Sequence, residues 1–491
     1  MSDHPSPQPG DSVAIVGAGP AGLHLARRLL EKGIGVHVLE ATDTVGGRTR
    51  TVDVGGVLQE LGAVYVTPQY TLLHELMADV GLSPDNQLLP PGDDRRSARQ
   101  VFVDQDGLDK PESVTLTKHL LGAVEAQTLT EALAPHGVDE DFIDRLAAVL
   151  PDSLQVGTIA GDIFRYRTLH RELFGAYTGR RPPKPSAAVL RDLDTSFGEF
   201  LTKRGLGALL NLMTFSTTVQ GYGQPDELSA FYGLWWNSPP FLNDYLKSIL
   251  GLGEPIVQLI RAGYQTVWNR VAEALPDGAV RTGFRVKQIQ RGHRVRIESE
   301  PGERLEVDFL VWTPPLSDLL EVVETTTDRE RSMFASMESA TVVATLFEAN
   351  STQITAPIAY WLTDPHRIRT DGRLFSVRNS PAALGLIPVG PRQTFVAYQY
   401  RPDWAIGREA TLKEQLLRDL EPWFDDVALR DQRVWRYAMR FNRAGIQQGY
   451  PWQLDDMQGA KRTWYAGASA CFDSVHDVMV HNTRLLDRVG V

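Results

Sequence analysis

The stretch VGAGPAG sets Gly17, Gly19 and Gly22 in G-x-G-x-x-G spacing, with Pro20 and Ala21 ahead of the last glycine. Gly17 permits a tight turn, and Gly19 lets the backbone approach a pyrophosphate. Gly22 lets the following helix pack close to the preceding strand. Glu40 follows at the end of the next apolar run. A carboxylate there hydrogen-bonds ribose hydroxyls and favours an adenosine without a 2′-phosphate. The expected chemistry is therefore carried by a bound nucleotide. No Ser/His/Asp or Cys/His arrangement calls for a side-chain nucleophile. The 11 histidines show no metal-ligand spacing, so no metal is expected.

Those residues need elements to hold them. SVAIVGAG reads as a buried strand, GLHLARRLLEKG as an amphipathic helix closed by Gly33, and GVHVLEA as a second strand. Residues 11–41 thus form a strand–helix–strand unit. The pattern from about 115 to 250 is mostly helical, broken at RRPPKPS and NSPPF. A helix is expected over 262–275, then strands around AVRTGFRVKQIQR, HRVRIES and VDFLVWTPP. SATVVATLFEA, residues 339–349, reads as a buried strand in a mixed region. RTWYAGASA reads as another, ahead of a closing helix.

At 491 residues the chain exceeds what one core usually organises, so a second domain or a large insertion is expected. The boundaries expected are a flexible leader over 1–10 and a discontinuous nucleotide-binding domain of 11–90, 255–318 and 436–491. The substrate-binding domain then comprises 91–254 and 319–435. A net charge of −11 and the lack of a basic stripe exclude a nucleic-acid binder. The cluster Arg95, Arg96 and Arg99 is short and flanked by acids. The single cysteine, Cys471, rules out an internal disulfide and a cysteine metal site. No apolar run approaches the roughly 20 residues of a membrane span. The expectation is a cytoplasmic protein acting on a small-molecule substrate, with a homodimer left open.

Further segments name the nucleotide. EATDTVGGRTRT carries Gly46, Gly47 and Arg48, and ELGAVYV carries Gly62, Ala63 and Val64. FRVKQIQR carries Val286, and RTWYAGASACFDSVHDVMVHN carries Gly467, Ala468, Ser474 and Val475. In this order they resemble the signatures of the FAD-dependent amine oxidase superfamily. The resemblance implies an α/β fold, with a Rossmann-like FAD-binding domain of the glutathione-reductase type. A second α+β substrate domain and a helical insertion complete it. It implies that Arg48 lies near the pyrophosphate, Gly47 beside the cofactor, and Gly62, Ala63 and Val64 along the flavin ring. Val286 would pair its backbone with adenine, and Gly467, Ser474 and Val475 would reach the flavin. One departure is plain. The acid that usually follows the last glycine is Ala468 here, so a polar contact is missing or is supplied by a neighbour such as Ser469. Cys471 does not sit where covalently flavinylated relatives place theirs, so FAD is expected to be non-covalent.

GYPWQLDDMQGAKRTWYAGASACF, GYGQPDELSAFYGLWW and ELGAVYVTPQYTLLHELMADVG are similar to a branch that includes bacterial polyunsaturated fatty acid isomerases. Amine oxidases of the superfamily commonly carry a lysine near flavin N5. The matching residue here is Val342, or Val343 if the register slips by one. Its absence points to a hydride returned to substrate or passed on, in double-bond isomerisation or desaturation. The alternative is an oxygen-dependent amine or amino-acid oxidase without that lysine. A non-catalytic flavoprotein is a third reading. Tyr65, Trp435 and Tyr437 are expected near the flavin, and Arg99, Tyr232 and Trp236 at the substrate.

Overall fold

The unbroken apolar run of Ser12–Val16 makes a strand covered on both faces, at the centre of a five-stranded parallel sheet. Its neighbours are Gly35–Leu39 and Phe309–Trp312, with Val280–Arg281 and Thr463–Tyr465 at the two edges. Helix Pro20–Leu30 links the first two strands and carries proline at its first position, where the missing amide costs nothing. The closing helix Val475–Val489 packs against it. The computed structural model describes residues 4–89, 99–103, 112–115, 159–177, 180–250, 255–300, 302–351, 354, 357–361, 372–383, 392–404 and 407–490.

A second sheet has seven strands. Their order is Asp425–Phe441, Met337–Asn350, Arg392–Arg401, Leu374–Asn379, Ile358–Trp361, Arg99–Val103 and Glu112–Thr115. The strand expected at 339–349 lies within Met337–Asn350. Its alternation decides the one-residue slip left open by sequence: Val342 faces the cavity described below, while Val343, 1% exposed, turns the other way. The outer strand Asp425–Phe441 is irregular. Its ladder shifts register between Glu338 and Ala340, opposite Ala438, whose φ is 51°. Trp435, Arg436 and Tyr437, in the regular ladder just before that bulge, all border one cavity.

A helical region packs beside this sheet. It includes Ile159–Phe174, Phe197–Lys203, Leu210–Thr218, Ala230–Trp236 and Pro239–Leu250. Serines begin two of these helices: the hydroxyl of Ser196 accepts from the Glu199 amide, and that of Ser229 from the Tyr232 amide. Of the stretch expected to be helical, residues 116–158 lie outside the described residues, as do Arg95 and Arg96. The architecture is the α/β class expected, a Rossmann-like parallel sheet joined to an α+β region with a helical portion. Among the described residues no helix is long and apolar enough to cross a membrane. No cluster among them resembles a metal site.

Candidate active site

A cavity of about 430 Å³ opens where the carboxyl ends of the parallel strands face the seven-stranded sheet. Gly17, Gly19, Pro20 and Ala21 line one end. Gly22 lies behind them; a Cβ there would stand 2.0 Å from the Gly17 carbonyl oxygen, so the helix can seat only on glycine. Gly19 meets Gly47 from the second turn, where a Cβ on Gly47 would come within 3.1 Å of the Gly19 Cα. Two glycine turns therefore touch with no side chain between them. Glu40 is in the wall, and its carboxylate accepts from the amides of Ala18 and Thr42, each at 2.9 Å. Those bonds fix its orientation and leave lone pairs free for an incoming hydroxyl. These residues form a cradle fit for a dinucleotide.

The ELGAVYV segment runs tightly beside Arg48: the Ala63 amide donates to the Arg48 carbonyl at 2.7 Å. Gly62, Ala63, Val64 and Tyr65 all reach the wall. The Arg48 guanidinium forms a bidentate pair with Asp473, Nη1 to Oδ2 at 2.8 Å and Nη2 to Oδ1 at 2.5 Å. Its face lies 4.9 Å from the centre of the Tyr437 ring, which in turn stacks on Tyr222 at 6.0 Å. The Tyr222 hydroxyl donates to the Asp473 carbonyl at 3.0 Å. Ser474 caps the closing helix by accepting from the Asp477 amide at 3.0 Å. That helix starts in the wall at Ser474 and Val475, where its N-terminus favours negative charge. Gly467 and Ala468 adjoin it. The Ser469 hydroxyl accepts from the Leu316 amide at 3.2 Å and is not part of the wall. The carboxylate present is that of Asp473. Sequence reasoning overlooked it, although an acid just before a capping serine was a usable signal.

The other end is aromatic. Trp435 donates its indole N–H to the Leu61 carbonyl, and the Tyr398 hydroxyl donates to the Glu60 carbonyl at 3.2 Å. Tyr360, Phe375, Ser376, Val342 and Gln220 complete this end. Burial holds the hydroxyls of Tyr222, Tyr398 and Tyr437 well above their usual range, so all three stay neutral. The charged side chains of the wall are paired internally. Arg48 holds Asp473, Arg436 holds Asp318 at 2.7 Å, and Glu40 accepts backbone amides.

Other expected residues fall elsewhere. Val286 starts its strand outside the wall, two positions beyond Phe284, whose amide donates to the Glu40 carbonyl at 2.8 Å. Tyr232 was expected at the substrate. It is instead 3% exposed in the helical core, its hydroxyl accepting from the Phe441 amide at 3.1 Å. Trp236 donates to the Ser216 carbonyl at 2.9 Å and borders a separate void of about 20 Å³. Arg99 pairs in the sheet with Ile358, and its side chain lies outside the described residues.

The chain matches the sequence profile described as flavin-containing amine oxidoreductase over residues 20–480. The polyenoic fatty acid isomerase of Ptilota filicina is 22% identical, across 95% of this chain and 93% of that protein. The putrescine oxidase of Kocuria rosea is 49% identical, but over 95 residues, 19% of this chain and 18% of that oxidase. The crystal structure of a CLA-producing fatty acid isomerase from P. acnes superposes with a TM-score of 0.73 at 22% identity. It covers 99% of this chain and 100% of that one.

Proposed function

The chain belongs to the flavin-containing amine oxidoreductase family, and we propose that it holds FAD without a covalent bond and exchanges hydride between that cofactor and an apolar or amphipathic small molecule. Double-bond isomerisation or desaturation is the net reaction. A bound flavin supplies reversible hydride acceptance from an activated C–H bond. Everything else is asked of the chain.

Gly17, Gly19 and Gly47 would leave room for the pyrophosphate, and the Glu40 carboxylate, held in the wall by the Ala18 amide, would accept from ribose. The start of the closing helix, at Ser474 and Val475, favours negative charge on the ring side. Cys471 supports the non-covalent reading: it is buried outside the wall, its thiol pushed up by burial and donating to the Gly467 and Phe472 carbonyls. The aromatic end excludes water and presents no unpaired charge among the described residues. That favours an apolar reactant over an ammonium, which would lose its hydration without a partner.

The observation that carries the proposal is Val342. It stands in the wall beside Trp435, in the position we match to the lysine of oxygen-using relatives. An apolar side chain there can neither hold a water nor supply a proton.

The test is to mix anaerobically reduced holoprotein with aerated buffer and follow flavin absorbance by stopped flow. Slow reoxidation without a burst of peroxide is expected. Val342→Lys should speed it by roughly tenfold or more, the equivalent of about 1.4 kcal/mol of barrier. Rapid reoxidation of the wild type with stoichiometric peroxide would sink the proposal and favour an amine or amino-acid oxidase.

A further inference from the structure

Two uncharged polar side chains interrupt the aromatic end of the cavity. Ser376 is 4% exposed and sits in the sheet directly between Tyr360 and Tyr398, both in the wall. Gln220 lies in the turn after helix Leu210–Thr218 and borders both the main cavity and the small void beside it. Its neighbour Gly221, at φ +80°, is pressed against Val342 and Tyr437, so packing fixes the turn and the Gln220 side chain is not needed to do so. Neither the Ser376 hydroxyl nor the Gln220 amide has a hydrogen-bond partner among the described residues, whereas the Tyr398 hydroxyl between strand and cofactor end is committed to Glu60.

Polar groups left unpaired in an otherwise apolar wall are what orient a ligand and reject analogues that cannot bond to them. A hydroxyl and a carboxamide each donate and accept. Together they match a hydroxyl or a carbonyl. They do not match a charged head, because every charge in the described wall already has its partner, and an ion arriving here would be desolvated without compensation.

We infer that Gln220 and Ser376 form a headgroup site for an uncharged oxygen substituent, a hydroxyl or carbonyl, on an apolar substrate. This rests on the reading that the cavity takes an apolar or amphipathic small molecule. It adds which end of that molecule is recognised, and by what.

Geraniol, geranic acid and geranylamine share one unsaturated skeleton and differ only in the head; myrcene offers a comparable hydrocarbon without one. Each is titrated into the FAD-loaded protein, with the perturbation of the flavin spectrum as readout. Geraniol should bind at least roughly tenfold more tightly than the acid or the amine. Ser376→Ala and Gln220→Leu should each weaken geraniol roughly fivefold to tenfold and leave myrcene unchanged. Tighter binding of the acid or the amine overturns the inference. So does equal weakening of all four ligands in the variants, which would mark the two residues as packing, and so does the failure of all four to bind. The reoxidation experiment needs no substrate, so the proposed hydride chemistry stands or falls separately.

Discussion

Glu60 is an acid whose surroundings favour its neutral form. Burial pushes its carboxyl up to about 7, against the pull of the Tyr264 amide, the Arg378 charge and the Thr51 hydroxyl. The folded value lies above the ordinary 4.5, so the folded protein holds this proton more tightly than the unfolded chain does. The stability it contributes is complete at low pH and is lost as pH rises through 7. Glu60→Gln should remove that loss. Between about pH 5 and about pH 8 in urea unfolding, the stability of the variant should change more favourably than that of the wild type, by on the order of 1–3 kcal/mol. Equal changes in the two proteins would mean the carboxyl titrates normally. Single residues were legible in the sequence where their meaning is local. Gly17, Gly19 and Gly22 act within one turn, and their spacing is enough to read them. Asp473 was not legible, because its significance comes from Arg48, 425 positions away. Tyr232 and Trp236 were misplaced for a related reason: the face of a helix that meets a cavity is decided by the other helices packed on it.

At the level of elements, the strand Asp425–Phe441 carries one unusual residue directly after three that border the wall. Ala438 has φ 51° and is 3% exposed, a left-handed conformation that an L-residue adopts at a cost of about 1–2 kcal/mol. Ala438→Gly relieves that strain and should stabilise the protein by up to about 1 kcal/mol, after the entropy that glycine brings to the unfolded chain. Ala438→Val cannot adopt the conformation. It should cost about 1–3 kcal/mol and turn Tyr437 away from Arg48. Chemical denaturation reads the first effect, and the fraction of flavin kept through gel filtration reads the second. Retained flavin and unchanged stability in the valine variant would show that the bulge does not position the wall. The period of two identified Met337–Asn350 as a strand but could not say which of Val342 and Val343 faced inward. Pairing with Trp435 and Tyr400 supplies that answer, and no sequence pattern contains it. The consecutive placement of Trp435, Arg436 and Tyr437 was equally beyond a strict alternation.

For the molecule as a whole, buried histidines set the acid limit. Burial holds His24, His170, His476 and His481 down to about 4 each. Asn482 donates to the Nδ1 of His24 at 3.2 Å, an acceptor that protonation would remove. A lowered histidine contributes stability that is present above its ordinary 6.5 and lost as pH falls toward 4. Four such groups outweigh the opposite slope of Glu60. The unfolding free energy should therefore fall by on the order of several kcal/mol between about pH 7 and about pH 4.5, as measured by urea denaturation. A flat profile would contradict it. The ion pair between Arg48 and Asp473 has a further consequence, in time rather than in space. The two residues are separated by 425 positions, and a ribosome adds roughly 5–20 residues per second. For tens of seconds the newly made glycine turns stand beside an arginine with no counter-charge, on a sheet still lacking its edge strand Thr463–Tyr465. Completion of this end of the cavity is thereby a late event of synthesis, and a polypeptide released early from translation emerges without the partner of Arg48.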